Sequence, residues 1–419
     1  MRFSFLKEVK MKKKKKKLKY KNIFKLFCII LVIFVGIKLL SKNYQEEEKK
    51  VDYNTYIGKK IELLEQDNNN KYTINKDYKY NDEYQKDEII EVEVLGDTLN
   101  VLLSKGMIDD SVYKDKKVNE LGSVPIMMYH GIVDTKDNKY TGGNVDKDGY
   151  NRTAKAFKED LDFYYKKGYR MIRLKDYVDG IIDVELGFSP IILTFDDGNK
   201  NNFNVLGRNS DGSLKIDPNC AVGILEDFKK THPDMHVTAT FFVMNDLFNQ
   251  KEYDKEILDW LVNNGYDVGN HTTTHPDFSK ISTAKTQEVV GKMYQKLDSL
   301  LEDKYVKIIA LPFGSPYKKS HSNYQYILKG KYNDYVYETE AALRVGWEPE
   351  VSPFNKDFDK TFLKRCRAYD NNGKEFDIEM VFKNLENKRY ISDGDKDLIV
   401  IKKSDEKKLN SSLENIHMY

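Results

Sequence analysis

Cysteine contributes little to this chain, with three in 419 residues. Cys28 lies in an apolar segment near the N-terminus, so Cys220 and Cys366 allow at most one disulfide and exclude a cysteine metal cluster. Two buried free thiols are the simpler expectation, and stability then has to come from the core. A composition that is 40% hydrophobic and 12% aromatic can build one. Tryptophan is scarcer still, at two, and histidine numbers only seven, so any place where imidazoles gather is informative. Long apolar runs are also lacking: Ile23 to Leu40 is the exception, and every later run is short.

That one long run has basic neighbours. Lys12 to Lys17 are six consecutive lysines, while Lys25 and Lys38 sit near the ends of the apolar stretch, where they can reach the headgroups. No small-x-small cleavage pattern follows, so a retained signal anchor is expected in preference to a cleaved signal peptide. The lysine asymmetry places the N-terminus in the cytoplasm and the remainder outside, anchored to the cell membrane by a single helix. Residues 1 to 42 hold 14 Lys and Arg against one acidic residue, leaving 55 basic and 66 acidic residues beyond them. An acidic ectodomain is a poor partner for nucleic acid.

Residues 43 to 120 are polar and punctuated, with Asn68-Asn69-Asn70 and one alternating stretch, Glu88 to Leu95, that reads as a half-buried strand. A stalk or small accessory element is expected there. From 121 to 402, apolar runs alternate with helix-spaced segments. The strands are expected at Pro125 to Met128, Met171 to Leu174, Ile191 to Phe195, Thr238 to Val243, Tyr266 to Gly269, Ile308 to Leu311 and Leu398 to Ile401. Helices are expected over Thr153 to Lys167, Cys220 to Lys230, Lys255 to Asn264 and Thr283 to Asp303. Such alternation argues for a parallel α/β domain. Residues 403 to 419 read as a polar tail.

Two motifs carry chemistry. Leu193-Thr194-Phe195-Asp196-Asp197-Gly198 places adjacent carboxylates at the end of an apolar run, and His271-Thr272-Thr273-Thr274-His275 spaces two imidazoles by four residues. On a helical turn that spacing directs both rings to one point. Two histidines and one aspartate complete a facial set for a divalent ion and leave a position open, with one carboxylate to spare. Zinc suits such N/O ligation, while cobalt, nickel and iron share its geometry. These are the parts of a metal-assisted hydrolase.

Both motifs resemble those of the polysaccharide deacetylases that share the chitooligosaccharide-deacetylase domain, carbohydrate esterase family 4: T-F-D-D-G at Thr194 to Gly198 and H-[S/T]-x-x-H at His271 to His275. Val124 to Gly131 resembles the opening strand of the poly-N-acetylglucosamine deacetylase branch. Ala239 to Val243 resembles the strand between the motifs, and Phe157, Leu161, Tyr165 and Lys167-Gly168-Tyr169 the helix and turn before the first one. The likeness covers about residues 121 to 402 and implies a distorted (β/α) barrel with fewer than eight regular repeats.

It also implies an activity, removal of N-acetyl groups from peptidoglycan or a glucosamine polymer, and roles for residues. Asp197, His271 and His275 would hold the metal, Asp196 would act as base, and the backbone N–H of Phe313, between Pro312 and Gly314, would face the oxyanion. Two positions depart from the pattern. Ala310-Leu311-Pro312-Phe313-Gly314 lacks the arginine that usually orients the catalytic aspartate, and Asp397 to Ile401 lacks the histidine of the last motif, the usual general acid.

Arg344, Arg365 and Arg367 are candidates to replace that arginine, although surface ion pairs are the commoner fate. His130, closing the first strand, is the candidate to donate the missing proton or to position the group that does. Trp347 is either a sugar-stacking wall or core. The polar insertion Asn199 to Pro218 either rims the groove or is a plain surface loop, and His232, His236, His321 and His417 are expected in solvent. With two family residues missing, a catalytically degenerate, metal-containing glycan-binding module remains the alternative.

Overall fold

The computed structural model describes residues 110–133 and 144–419 and the backbone of four short upstream strands, all within the compact unit Ile57–Tyr419. The apolar stretch Ile23 to Leu40, Cys28 and the lysine run lie outside the described residues. Among the described residues no helix is long and apolar enough to cross a membrane. The four upstream strands form one sheet in the order Leu64–Gln66, Tyr72–Ile74, Asp97–Leu102, Ile89–Val94. The last of these falls in the alternating stretch, paired antiparallel with Asp97–Leu102.

The main architecture is a curled parallel sheet of eight strands with helices outside it. In chain order the strands are β1 (Ile126–Tyr129), β2 (Tyr169–Met171), β3 (Ser189–Phe195), β4 (Thr240–Val243), β5 (Asp267–Asn270), β6 (Ile308–Ala310), β7 (Ala341–Leu343) and β8 (Cys366–Arg367). The order across the sheet is β7-β6-β5-β4-β3-β1-β8, with β2 also on β3, and every pairing is parallel. A parallel bridge between Leu343 and Leu363 draws the two edges toward each other. All seven residues of β3 are buried, as a strand covered on both faces requires.

The helices follow from local chemistry. In α1 (Ala154–Lys166) the Thr153 hydroxyl accepts the Ala156 N–H at the N-cap, and Phe157, Leu161 and Tyr164 recur on the buried face. Ser282 caps α4 (Thr283–Leu301) in the same way, whereas α2 (Ala221–Thr231) and α3 (Asp254–Asn263) bury Ile224, Leu225 and Phe228, and Ile257, Leu258 and Leu261. Tyr129, Phe195 and Phe241 stand side by side at one level on β1, β3 and β4, with Phe157 of α1 packed against the first two. Strand side chains alternate faces, so His130 and Asp196, one residue further on, point away from the helices.

Three expectations are corrected. Met171 to Leu174 is a strand only to Met171, because Leu174 opens the short helix Leu174–Asp179 behind Arg173. Ile399–Ile401 is a strand outside the barrel: it pairs with Ile416–Met418, so residues 403–419 fold back against the chain instead of trailing as a tail. The sheet has eight strands, but its repeat is irregular. A hairpin, Lys329–Tyr332 with Tyr335–Glu338, precedes β7, and β8 is two residues long; neither leaves an apolar run that sequence can reveal.

Candidate active site

The first motif is built by a turn. The Asp196 N–H reaches the Tyr129 carbonyl at 2.9 Å, and Asp197 and Gly198 then adopt φ of 75° and 64°. A β-carbon on Gly198 would lie 2.4 Å from the Leu247 carbonyl oxygen, so only glycine lets the chain pass. The turn separates the two carboxylates: Asp196 is 2% exposed, while the Asp197 side chain is 24% exposed at the mouth.

Asp196 meets a guanidinium. Arg365 Nη1 and Nη2 donate to its two oxygens at 2.7 and 2.6 Å, and Nη1 also reaches the Thr194 hydroxyl, two residues back on the same strand face, at 3.1 Å. Arg365 is fully buried, against the expectation of a surface ion pair, and it gives Asp196 the guanidinium partner that Ala310 cannot. Burial works to raise the Asp196 pKa, but Arg365, His271 and His130 together outweigh it and hold the carboxyl below its ordinary value. Arg344 and Arg367 are directed elsewhere, over Phe362 and Trp347.

The histidine motif is not on a helical turn. Thr272 and His275 adopt φ of 66° and 52°, which no helix accommodates. Side chains shape the loop: Asn270 Oδ1 accepts the Thr272 N–H at 2.7 Å, and the Thr272 hydroxyl accepts the His275 N–H at 3.0 Å. The result still converges, with His271 Nε2 and His275 Nε2 lying 3.3 and 3.6 Å from the same Asp197 oxygen.

The donor set fits a divalent cation. His271 Nδ1 donates to the Ala310 carbonyl at 2.8 Å, because that oxygen can only accept. In the neutral ring Nε2 therefore presents a lone pair toward Asp197. It is buried and has no hydrogen-bond partner. Asp197, His271 and His275 form a group able to hold a metal ion. Burial would lower the His271 pKa, yet Asp196 and Asp197 outweigh it and shift it upward, whereas that of His275 is shifted downward by burial and by His271. Asp197 is held below the ordinary carboxylate range, burial being overcome by His271, His130 and His275.

His130 closes β1 with Nε2 4.0 Å from Asp196 Oδ2, its ring edge-on to Tyr150 at 5.2 Å and its Nδ1 buried without a partner. Burial lowers its pKa, with Arg365 and His271 adding to the effect and the two aspartates opposing it. The insertion after the first motif supports this residue. Asn202, fully buried, donates to the His130 carbonyl at 2.6 Å, and Asn201 Oδ1 accepts the Ile132 N–H at 3.2 Å. Beyond these two residues the segment is the hairpin Val205–Arg208 with Leu214–Ile216.

Pro312 and Gly314 are buried, while Phe313, at φ 58°, is 55% exposed with its ring 4.6 Å from that of His275. Gly314 lies close against Val345, where a β-carbon would come within 2.8 Å of the Val345 N. Trp347 is 48% exposed, which excludes the core reading. Of the four histidines expected in solvent only His236 is exposed; His417 pairs with Asp110 at 2.8 Å and His232 stacks on Phe228. Cys220 and Cys366 are buried and free. Tyr150 carries no motif and is brought beside His130 by folding, while Asn202 belongs to the insertion weighed as a groove rim and lies buried beneath His130.

The family model described as polysaccharide deacetylase matches residues 183–327, a span that contains both motifs. Three solved structures are similar to this chain. The Streptococcus pyogenes deacetylase PplD in complex with acetate is 16% identical, over 64% of this chain and 98% of that one, with a TM-score of 0.43. A de-N-acetylase from Aggregatibacter actinomycetemcomitans is 11% identical, over 62% and 99%, at 0.40. The BpsB deacetylase domain from Bordetella bronchiseptica is 12% identical, over 59% and 96%, at 0.37.

Proposed function

We propose that this protein is a metal-dependent hydrolase that removes N-acetyl groups from a cell-surface polysaccharide, nearest the branch of poly-N-acetylglucosamine deacetylases. One observation carries the reading: three convergent metal-type ligands lie beside a fourth, separately held carboxylate. Asp197, His271 and His275 would hold the ion, zinc first among the candidates. When bound, it supplies polarisation of the acetyl carbonyl and a lowered pKa for water.

The chain's own residues do the rest. Asp196, kept ionised by Arg365, accepts the proton of the attacking water. The Phe313 N–H, on a backbone turned outward at positive φ, faces the developing oxyanion. His130 stands close enough to Asp196 to serve the same reacting centre, and it donates the proton that the departing amine requires or positions the group that does. Phe313 and Trp347 present exposed rings to the sugar. A binding-only module has no use for Asp196, and Arg365 removes one of the two departures on which that alternative rested.

Acetate release from N-acetylated chitooligosaccharide and from peptidoglycan tests the reading. Release is expected to stop with chelator and return with zinc, and His271→Ala is expected to lose the ion by elemental analysis. No release from either substrate by metal-loaded protein, or full metal content in the His271 variant, overturns it. We also propose attachment to the cell membrane through Ile23 to Leu40, with the catalytic domain outside. A soluble form cut near residue 42 in culture supernatant would replace the anchor with a cleaved signal.

A further inference from the structure

Arg367 ends β8 on the same rim as His130 but takes no part in holding Asp196. Its guanidinium carbon lies 4.1 Å from the Trp347 ring and 5.5 Å from the Tyr150 ring, and Tyr150 is the ring set edge-on to His130. A continuous strip of contacts thus runs from Trp347 through Arg367, Tyr150 and His130 to Asp196. Both aromatic rings are 48% exposed.

Arg152, Arg170, Arg173, Arg208 and Arg365 each pair with a carboxylate. Among the described residues Arg344, Arg367 and Arg389 pair with no carboxylate, and the Nε atoms of Arg344 and Arg367 are buried without a hydrogen-bond partner. The Arg367 stem is accommodated by Gly149, at φ +75°, where a β-carbon would come within 3.1 Å of Arg367 Cδ. Stacking engages the faces of a guanidinium and leaves the in-plane N–H donors of its terminal nitrogens for a ligand, already oriented. Trp347 also lines a groove of about 400 Å³ together with Lys388, Glu348 and Lys364, the last of which lies 3.9 Å from Glu350.

We propose that Arg367, held between Tyr150 and Trp347, is the anchor for an anionic group of the substrate, so that the glycan acted on carries a carboxylate or phosphodiester near the acetamido sugar. The two anions share the feature a guanidinium fork reads, a pair of oxygens accepting parallel hydrogen bonds. This rests on the deacetylase reading above and narrows its substrate from any N-acetylated glycan to an anionic one.

The test compares acetate release from a neutral chitooligosaccharide, a peptidoglycan glycan fragment bearing muramic carboxylates, and an N-acetylhexosamine oligomer joined by phosphodiesters. The parent is expected to favour one anionic substrate by about tenfold or more in kcat/KM, the value of one charge-assisted bond, and the two anionic arms tell carboxylate from phosphodiester. R367Q should erase that preference, chiefly through KM, with a far smaller change on the neutral substrate. R367K should restore part of it, and the preference should shrink with added salt. Equal loss on all three substrates, or no preference in the parent, overturns the anchor.

A binding arm keeps the two readings apart. Tryptophan fluorescence of the full-length D196N variant is titrated with the same three glycans, then repeated in D196N/R367Q. Selective anionic binding that disappears in the double variant, without turnover in the parent, supports the anchor and refutes the deacetylase. Turnover without anionic selectivity does the reverse.

Discussion

Arg365 and Asp196 meet at the mouth of the sheet, and Arg152 and Asp160 meet against the hydroxyl of Tyr129, the residue before His130. Both are bidentate, buried pairs with close contacts: 2.7 and 2.6 Å in the first, 2.9 and 2.5 Å in the second. The pKa shifts of the two carboxyls are nevertheless opposite. Asp196 has Arg365 to itself and two imidazoles nearby, so burial is overcome and its pKa is lowered. Asp160 shares Arg152 with Asp370, at 2.6 Å, and with Asp146, at 3.7 Å, so burial wins and its pKa is pushed up to about 6. The contact geometry of a pair therefore does not fix its ionisation. What else draws on the same guanidinium does.

The most severe way to break the first pair is Arg365→Met. It leaves a buried carboxylate without a counter-ion, so about 3–5 kcal/mol of stability should be lost. Turnover should also fall about 10²- to 10⁴-fold, the range of a general base. Thermal unfolding together with acetate release checks both, and a variant that stays active would separate Asp196 from its assigned role.

Asp196→Asn should lower turnover by a similar factor while metal content stays at the parent level, because the candidate ligands Asp197, His271 and His275 are untouched. Elemental analysis decides. Equal metal loss in Asp196→Asn and Asp197→Asn would erase the distinction between the two carboxylates.

Arg152→Met tests the other side of the comparison. It should cost stability on the same scale, about 3–5 kcal/mol, but the variant, assayed well below its melting point, should keep kcat within a few fold, since Arg152 binds structure and touches no candidate ligand. A loss as large as that of the Arg365 variant would make the two pairs equivalent.

The smallest effect is a pH dependence. The folded chain keeps a proton on Asp160 that the unfolded chain releases near the ordinary value of 3.8. This group's contribution to stability is therefore complete below about pH 4 and lost as the pH rises through about 6. Asp160→Asn does not titrate, so it should gain on the parent in thermal midpoint across that window. A difference that stays constant with pH would show that Arg152 holds Asp160 ionised after all.

Much of this arrangement is legible in the sequence. The strands that carry Asp196 and His130 are apolar runs bounded by turns, and such runs report burial directly. Asp197-Gly198 announces a turn that few other residues permit, and the two histidines announce convergence even though the local geometry expected for them was wrong. A loop bent at Thr272 and His275 does what a helical turn was expected to do, because the Thr272 hydroxyl and the Asn270 side chain replace the helical hydrogen bonds.

Sequence by itself determined the candidate ligand types, the paired carboxylates and the alternation that yields a parallel sheet, since each is written in residue chemistry and short-range period. Which arginine serves Asp196 was decided only by tertiary structure: Arg365 lies 169 residues away, ahead of a two-residue strand with no apolar signature. The same holds for Trp347 and Arg367, whose stacking depends on a loop returning beside β8, and for Asn202 beneath His130. Long-range pairs of this kind leave no periodicity in the chain, because their spacing is set by how the elements pack and not by how any one of them forms.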